Sequence, residues 1–238
     1  MNVISFSLWG DNPKYMDGII DNADVKQRLE FYKDWEMWVY HNDSVPERVL
    51  DQLTKLNVVL KREETIHSDY FVPGERRCFH NATWRFHPAS DPNIDYFISR
   101  DADSRLFVRD ELAVKEWIAS GKSSHIIRDH PVGHSWLMNA GMWGCKGGFI
   151  PDIKGKFHKY WTEKNKSEDA IDQHFLKDIV YPEFVVKDCF VHDEYYRYEP
   201  HATHIKRERH LDDYAFIGEA RLGDGTPDGD QRSSIRGR

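Results

Sequence analysis

Strand-length apolar runs alternate with helical spacings over the first 62 residues, and that alternation narrows the fold more than any other feature. Val3-Ile4-Ser5-Phe6-Ser7-Leu8-Trp9 reads as a buried strand. The polar loop from Gly10 to Tyr15 then leads into a helix from about Tyr15 to Tyr32. Glu36 to Tyr40 reads as a second strand. Asn42-Asp43-Ser44 with Pro46 announces a helix through Leu56, with Val49, Leu50, Leu53 and Leu56 at helical spacing. Asn57 to Lys61 is a third strand. This β-α-β-α-β order predicts an α/β domain whose mostly parallel central sheet carries helices on both faces. Such sheets bind ligands beyond the carboxyl ends of their strands, where the strand order reverses.

The clearest chemistry follows a later strand. Tyr96-Phe97-Ile98-Ser99-Arg100 ends in Asp101-Ala102-Asp103. In extended backbone, residues two apart project to one side, so both carboxylates can share a cation. Hard carboxylate oxygens suit Mg²⁺ or Mn²⁺, which complete their shells with substrate phosphates; a strand ending in a solvated turn is the plainer reading.

Further candidates lie on both sides of that motif. In the first loop, Asp11 can accept from a base edge or ribose, and Tyr15 either stacks on a base or anchors the first helix in the core. A helix from Arg76 to Phe86 carries Arg85, either a fixed charge for phosphate or sugar hydroxyls or a surface arginine lying along Trp84. Glu111 to Ser120 is a short helix stopped by Gly121, and Ser124 to Arg128 a strand ending in Asp129-His130-Pro131. In the strand Leu137 to Gly144, Ala140, Gly141 and Gly144 permit close backbone approach to a ligand or form a bulge. A helix from Ser167 to Ile179 contains Asp172 and Gln173. Phe184 to Asp188 is strand-like, and Val191-His192-Asp193-Glu194 follows.

Together these segments resemble the GT-A (Rossmann-like) glycosyltransferases, in which an Asp-x-Asp pair holds the metal that binds the donor diphosphate. The first loop is similar to that of the glycogenin-like retaining galactosyltransferases, with Pro13 and Lys14 inserted. Trp84-Arg85-Phe86 stands where that family has a Tyr-Ala-Arg-Leu-type segment facing the donor. Asn139-Ala140-Gly141 resembles its Asn-x-Gly strand, and Asp172-Gln173-x-x-Leu176 its Asp-Gln-Asp-x-Leu helix start, departing at His174. The family's His-x-x-Gly-x-x-Lys-Pro-Trp string is absent, and Lys206, Arg207 or Arg209 would have to replace its lysine. Val191-His192-Asp193 with Tyr214 to Glu219 is reminiscent of uncharacterised bacterial and viral GT-A-like proteins.

The resemblance implies a glycosyltransferase that moves a sugar from a nucleotide-diphospho sugar, a UDP-sugar foremost, to a glycan, lipid or protein hydroxyl. It implies Mn²⁺ or Mg²⁺ on Asp101, Asp103 and a late His192, with Asp11, Tyr15, Arg85, Asn139 and Gly141 around the donor. Asn139 and Asp172 would orient sugar hydroxyls, with Gln173 near the anomeric carbon. A neutral amide is a poor covalent nucleophile, which favours a same-face retaining route. An inverting route needs a base, for which Asp129, His130, Asp169 and Asp172 are available.

Composition sets bounds on these readings. A chain of 238 residues builds one sizeable core: a domain over 1–222 and, from Gly223, a polar Gly-rich tail expected to be flexible. Lys+Arg 33 against Asp+Glu 40 gives −7, with no basic block, which argues against nucleic acid. Cys78, Cys145 and Cys189 are scattered, as reduced cytoplasmic thiols are. No apolar window approaches the ~20 residues of a membrane helix. Two other classes stay open. One is a nucleotidyltransferase, which would show a Gly-rich early loop where this chain has Gly10; the other is a non-catalytic nucleotide-sugar-binding domain.

Overall fold

The computed structural model describes residues 1–65, 79–164, 170–206 and 214–236. Seven strands form one sheet: β1 (Asn2–Leu8), β2 (Glu36–His41), β3 (Val59–Arg62), β4 (Tyr96–Ser99), β5 (Ser124–Arg128), β6 (Trp143–Cys145) and β7 (Cys189–Asp193). Their order is β3-β2-β1-β4-β6-β5-β7. β6 runs antiparallel to both neighbours, and every other pairing is parallel. The expected α/β domain with a mostly parallel sheet is therefore present.

Pleating sorts β1 between two cores. Ile4, Phe6 and Leu8 join the cluster that receives α1 (Pro13–Arg28), α2 (Glu47–Lys55) and α3 (Val108–Ser120) through Met16, Ile19, Val49, Leu53, Val114 and Trp117. Val3, with Trp38 and Phe97 of the neighbouring strands, joins the cluster on the opposite face. That cluster receives a 3₁₀ run (Phe79–Ser90), α4 (Ile153–Lys164) and α5 (Ile171–Phe175). On the same side Ser7 takes the place of an apolar residue. Its hydroxyl donates to Ala82 O at 3.2 Å and accepts from Arg85 N at 2.9 Å, so the 3₁₀ run docks directly on the strand.

Several elements differ from the sequence reading. Within the helix expected from Arg76, residues 76–78 lie outside the described residues, and the remainder winds as the 3₁₀ run. It contains Pro88, which has no N–H for an α-helical bond. The strand expected over Leu137 to Gly144 shrinks to Trp143–Cys145. Its first carbonyl, Leu137 O, and Trp136 O just before it are taken by the Arg128 guanidinium, and Ala140 N by Gln173, so side chains replace ladder bonds there. Phe184 to Asp188, expected as a strand, contains a 3₁₀ turn (Val185–Lys187), and pairing begins at Cys189. In the helix expected from Ser167, residues 165–169 are outside the described set; α5 continues into a π turn at Leu176–Val180. The sequence reading did not assign α4, although Ile153, Phe157 and Tyr160 bury at helical spacing. The segment from Gly223, expected as a flexible tail, is placed against the domain: Ile235 is buried, and Gln231 O bonds the His130 ring at 2.7 Å.

Beyond β3, Glu63 ties three elements together. Its backbone N donates to His41 O at 2.7 Å, and its carboxylate meets His87 of the 3₁₀ run at 3.1 Å and Lys154 of α4 at 2.9 Å. The His87 hydrogen bond, helped by Lys154 against the opposing effect of burial, holds the carboxyl at about 2. Because this lies below the unfolded value near 4.3, the stabilisation is complete above that range and is lost as pH falls toward 2. Glu63→Gln should cost about 1–3 kcal/mol at pH 7, with the gap to wild type closing between about pH 4 and pH 2. Urea unfolding at several pH values checks this; a gap independent of pH would remove Glu63 as the cause.

Candidate active site at the β1–β4 switch point

From β1 the chain crosses to β2 and β3 on one side, then returns to place β4 on the other side of β1. The loops after β1 and β4 therefore flank the crevice where α/β sheets bind ligands. Asn12 caps α1, its Oδ1 accepting from Lys14 N at 3.0 Å, with Pro13 in the first turn. Helix α1 lies close to the turn after β4 because Gly18 has no side chain there: a Cβ would overlap Ala102 O. Asn22 completes the joint, donating to Ser104 O at 2.7 Å and accepting from Leu106 N at 2.9 Å.

Past β4 the charged side chains separate to the two faces. Arg100 is buried and pairs with Asp110 of α3 at 2.6 and 3.0 Å. Asp101 faces the opposite side, where its Oδ1 takes a hydrogen bond from Arg85. The backbone then turns instead of staying extended, with Ser104 N bonding Asp101 O at 3.2 Å. The expected shared projection of Asp101 and Asp103 is corrected accordingly. Asp103 pairs with Lys14 at 2.8 Å, and Lys14 also reaches Asp228 at 2.9 Å. The two aspartates still sense each other: burial pushes the Asp103 carboxyl up, and the charge of Asp101 pushes it further. Burial works against the Lys14 charge, but its bonds to Asp103 outweigh that and raise its pKa.

Arg85 is the hub of the site. Besides Asp101 it reaches Asp172 Oδ2 of α5 at 3.3 Å, and its Nε is buried without a partner among the described residues. Burial pushes the Asp172 carboxyl up, Arg85 opposes this, and Asp101 adds to it. Next to Asp172, Gln173 Oε1 accepts from Ala140 N at 2.9 Å, joining α5 to the loop that carries Asn139 and Gly141. Asn139 is buried, and neither atom of its amide has a partner among the described residues. Burying an unbonded amide costs about 1–3 kcal/mol, so this group is poised for a ligand that supplies its hydrogen bonds. Gly141 adjoins Asp101 so closely that a Cβ would overlap its Oδ2. Gly141→Ala should therefore displace the Asp101 carboxylate, and if that carboxylate serves a nucleotide and its metal, affinity for UDP with Mn²⁺ should fall at least tenfold by calorimetry; unchanged affinity would show that the carboxylate is not used.

Arg85, Asp101, Asn139, Gly141, Asp172 and Gln173 thus gather from four chain segments, with Tyr15 and Asp103 at the α1 side. Tyr15 is 39% exposed, which removes the core-anchor reading; burial followed by the charge of Asp103 raises its phenol pKa. Asp11 is exposed in the loop between β1 and α1. Two expected members are committed elsewhere. Asp129 is completely buried, its oxygens bonded to Arg109 at 2.9 and 3.1 Å and to Ile217 N at 2.9 Å, so it serves as a structural counter-ion and not as an available base. His192 lies within β7, with Nδ1 against His125 Nε2 at 2.9 Å and Nε2 against Glu116 at 3.2 Å. Both ring nitrogens are thereby occupied, and the expected ligand set of Asp101, Asp103 and His192 is not assembled: among the described residues no three His, Cys, Asp or Glu side chains group to hold an ion. Of the expected lysine replacements and bases, Arg207, Arg209 and Asp169 lie outside the described residues, and Lys206 N bonds Glu116 at 3.3 Å.

Lys14, Asp228 and Arg221 are the members that sequence reasoning missed. Arg221 N donates to Asp103 O at 2.8 Å, bringing the C-terminal segment onto the turn after β4. Behind Trp84, a separate cavity of about 700 Å³ shares the 3₁₀ run and α5 with the site.

No known family model matches the chain, and no curated protein does. Among solved structures, a glycosyltransferase involved in glycosylation of the major capsid of PBCV-1 overlaps 81% of each chain at 13% identity, with a TM-score of 0.46. The 4-diphosphocytidyl-2C-methyl-D-erythritol synthase of Anaerococcus prevotii overlaps 82% of this chain and 88% of its own at 10% identity and TM-score 0.44. TarS of S. aureus in complex with UDP overlaps 74% of this chain and 54% of its own, at 13% identity and TM-score 0.44.

Proposed function

We propose that the protein is a glycosyltransferase that moves a sugar from a nucleotide-diphospho sugar to an acceptor hydroxyl, with retention of configuration. The observation that carries this reading is the convergence on Asp101 at the switch point. Arg85 bridges it to Asp172, Gly141 lies against it, and the unpartnered amide of Asn139 is carried two residues before Gly141.

Asp101 and Asp103 would hold a divalent cation: they are hard oxygen donors, and burial and then the charge of Asp101 raise the Asp103 pKa, a cost that a cation relieves. When bound, the ion supplies Lewis-acid neutralisation of the diphosphate leaving group. Arg85 adds a fixed guanidinium charge toward the same group, and Tyr15 offers a half-exposed ring to the base. Asn139 and Asp172 hold sugar hydroxyls, and Gln173, fixed by Ala140 N, stands beside them. The acceptor oxygen bonds the anomeric carbon as the bond from that carbon to the phosphate oxygen breaks. The electron pair leaves with the diphosphate, and the acceptor proton passes to the departing phosphate on the same face.

Incubation of a nucleotide-sugar panel with Mn²⁺ separates the alternatives. Release of free sugar or a glycoside supports the transferase. Pyrophosphate release instead identifies a nucleotidyltransferase, and binding without turnover a non-catalytic domain. Tyr15→Ala should weaken nucleotide binding by roughly 1–3 kcal/mol, the range of base–aromatic stacking. Titration with UDP checks this, and equal affinities would move the base elsewhere.

A further inference from the structure

The loop between β5 and β6 carries more than Asn139. Three residues earlier, Trp136 is partly exposed and stands edge-on to His174, with ring centroids 5.0 Å apart and planes at 88°. His174 follows Gln173 in α5, and Gln173 bonds Ala140 N, so Trp136 borders both segments that frame the candidate site. The loop is firmly held. Arg128, fully buried, donates to Trp136 O at 3.2 Å and Leu137 O at 2.5 Å. Beyond β7, the Tyr198 hydroxyl donates to Ser135 O at 2.9 Å while its ring covers the Arg128 guanidinium at 4.9 Å. Tyr198 nevertheless stays 44% exposed, and Tyr196 stacks on it at 5.2 Å and 17°.

Three aromatic rings are thus anchored around one loop, Tyr198 exposed and Trp136 and Tyr196 partly so, and none of them belongs to a hydrophobic core cluster of the described residues. Leaving such rings in water forgoes burial energy, and rigid, amphipathic rings of this kind mark contact surfaces. The flat face of an indole matches the CH face of a pyranose ring, and the polar neighbours Ser135 and His174 suit hydroxyls. Those same polar groups interrupt the apolar surface that a lipid chain needs.

We propose that Trp136, flanked by Tyr198, is the acceptor platform, and that the acceptor is a carbohydrate with one pyranose ring seated on the indole. As an acceptor assignment this rests on the transferase reading; as a carbohydrate site it does not. The test uses the full chain with chitotetraose, maltotetraose, cellotetraose and mannotetraose as probes. Binding is read by intrinsic fluorescence, and UDP binding with Mn²⁺ is read separately by thermal shift. At least one tetrasaccharide should bind wild type saturably. Trp136→Ala should weaken that binding tenfold or more, Trp136→Phe should recover part of it, and Tyr198→Ala should weaken it less, with UDP binding retained throughout. If Trp136→Ala does not fold, Trp136→Phe and Tyr198→Ala carry the same comparison. Absence of tetrasaccharide binding to wild type, or equal affinity in folded Trp136 and Tyr198 variants, overturns the proposal. Trp136-dependent binding in a protein that ignores every nucleotide sugar keeps the carbohydrate site and removes the transferase reading.

Discussion

Asp101→Asn and Asp103→Asn should each lower metal-dependent release of sugar from the donor at least a hundredfold, with little change in unfolding midpoint. The expectation follows from charge. Each variant keeps its shape but removes a unit of negative charge from a pair in which burial, and then the charge of Asp101, raises the Asp103 pKa. Stability changes in two opposing ways: repulsion is relieved, while a bond to Arg85 or Lys14 weakens. Catalysis has no such compensation, because loss of electrostatic stabilisation at a developing charge typically costs 10²–10³ in rate. Sugar release with Mn²⁺ and with a chelator, beside thermal melts, makes the measurement. Turnover within tenfold of wild type in either variant would remove that aspartate from the metal site.

Arg128→Ala should destabilise by about 3–5 kcal/mol, the usual cost of breaking a buried ion pair from one side. Arg128 is completely buried and bridges Asp193 at 2.9 Å and Glu199 at 2.7 and 2.9 Å. Removing it leaves two buried carboxylates facing each other across an empty volume. The same guanidinium holds Trp136 O and Leu137 O, so the loop bearing Asn139 loses its anchor as well. Denaturant unfolding and donor binding should therefore fail together. A loss below about 1 kcal/mol would show that water replaces the guanidinium, contrary to a closed ionic network.

Local sequence marked a good part of the candidate site. Arg85, Asp101, Asn139, Gly141, Asp172 and Gln173 stand out by motif and chain order, and the fold brings them together. Asp129 and His192 did not follow, and the reason is physical. A carboxylate or imidazole at the end of a late strand looks the same in sequence whether it faces a ligand or another buried charge. Arg109, Ile217, His125 and Glu116 made that decision, each from a distant segment. Lys14 reads as an insertion in the first loop, and Asp228 as part of a flexible tail; their 2.9 Å pair exists only because residues after Arg221 return to the turn following β4.

What the sequence determined by itself is what short-range physics determines: the period-2 strands, the helical spacings, and hence a parallel sheet open at its carboxyl edge, although α1 begins at Pro13 behind the Asn12 cap and not at Tyr15 as expected. Tertiary structure alone decided where backbone groups found partners. Arg128 and Gln173 took polar groups that would have extended β6, turning much of a predicted strand into the loop that presents Asn139. It also decided which charges face the crevice, because burial and ion pairing depend on residues far apart in the chain, which no local pattern encodes.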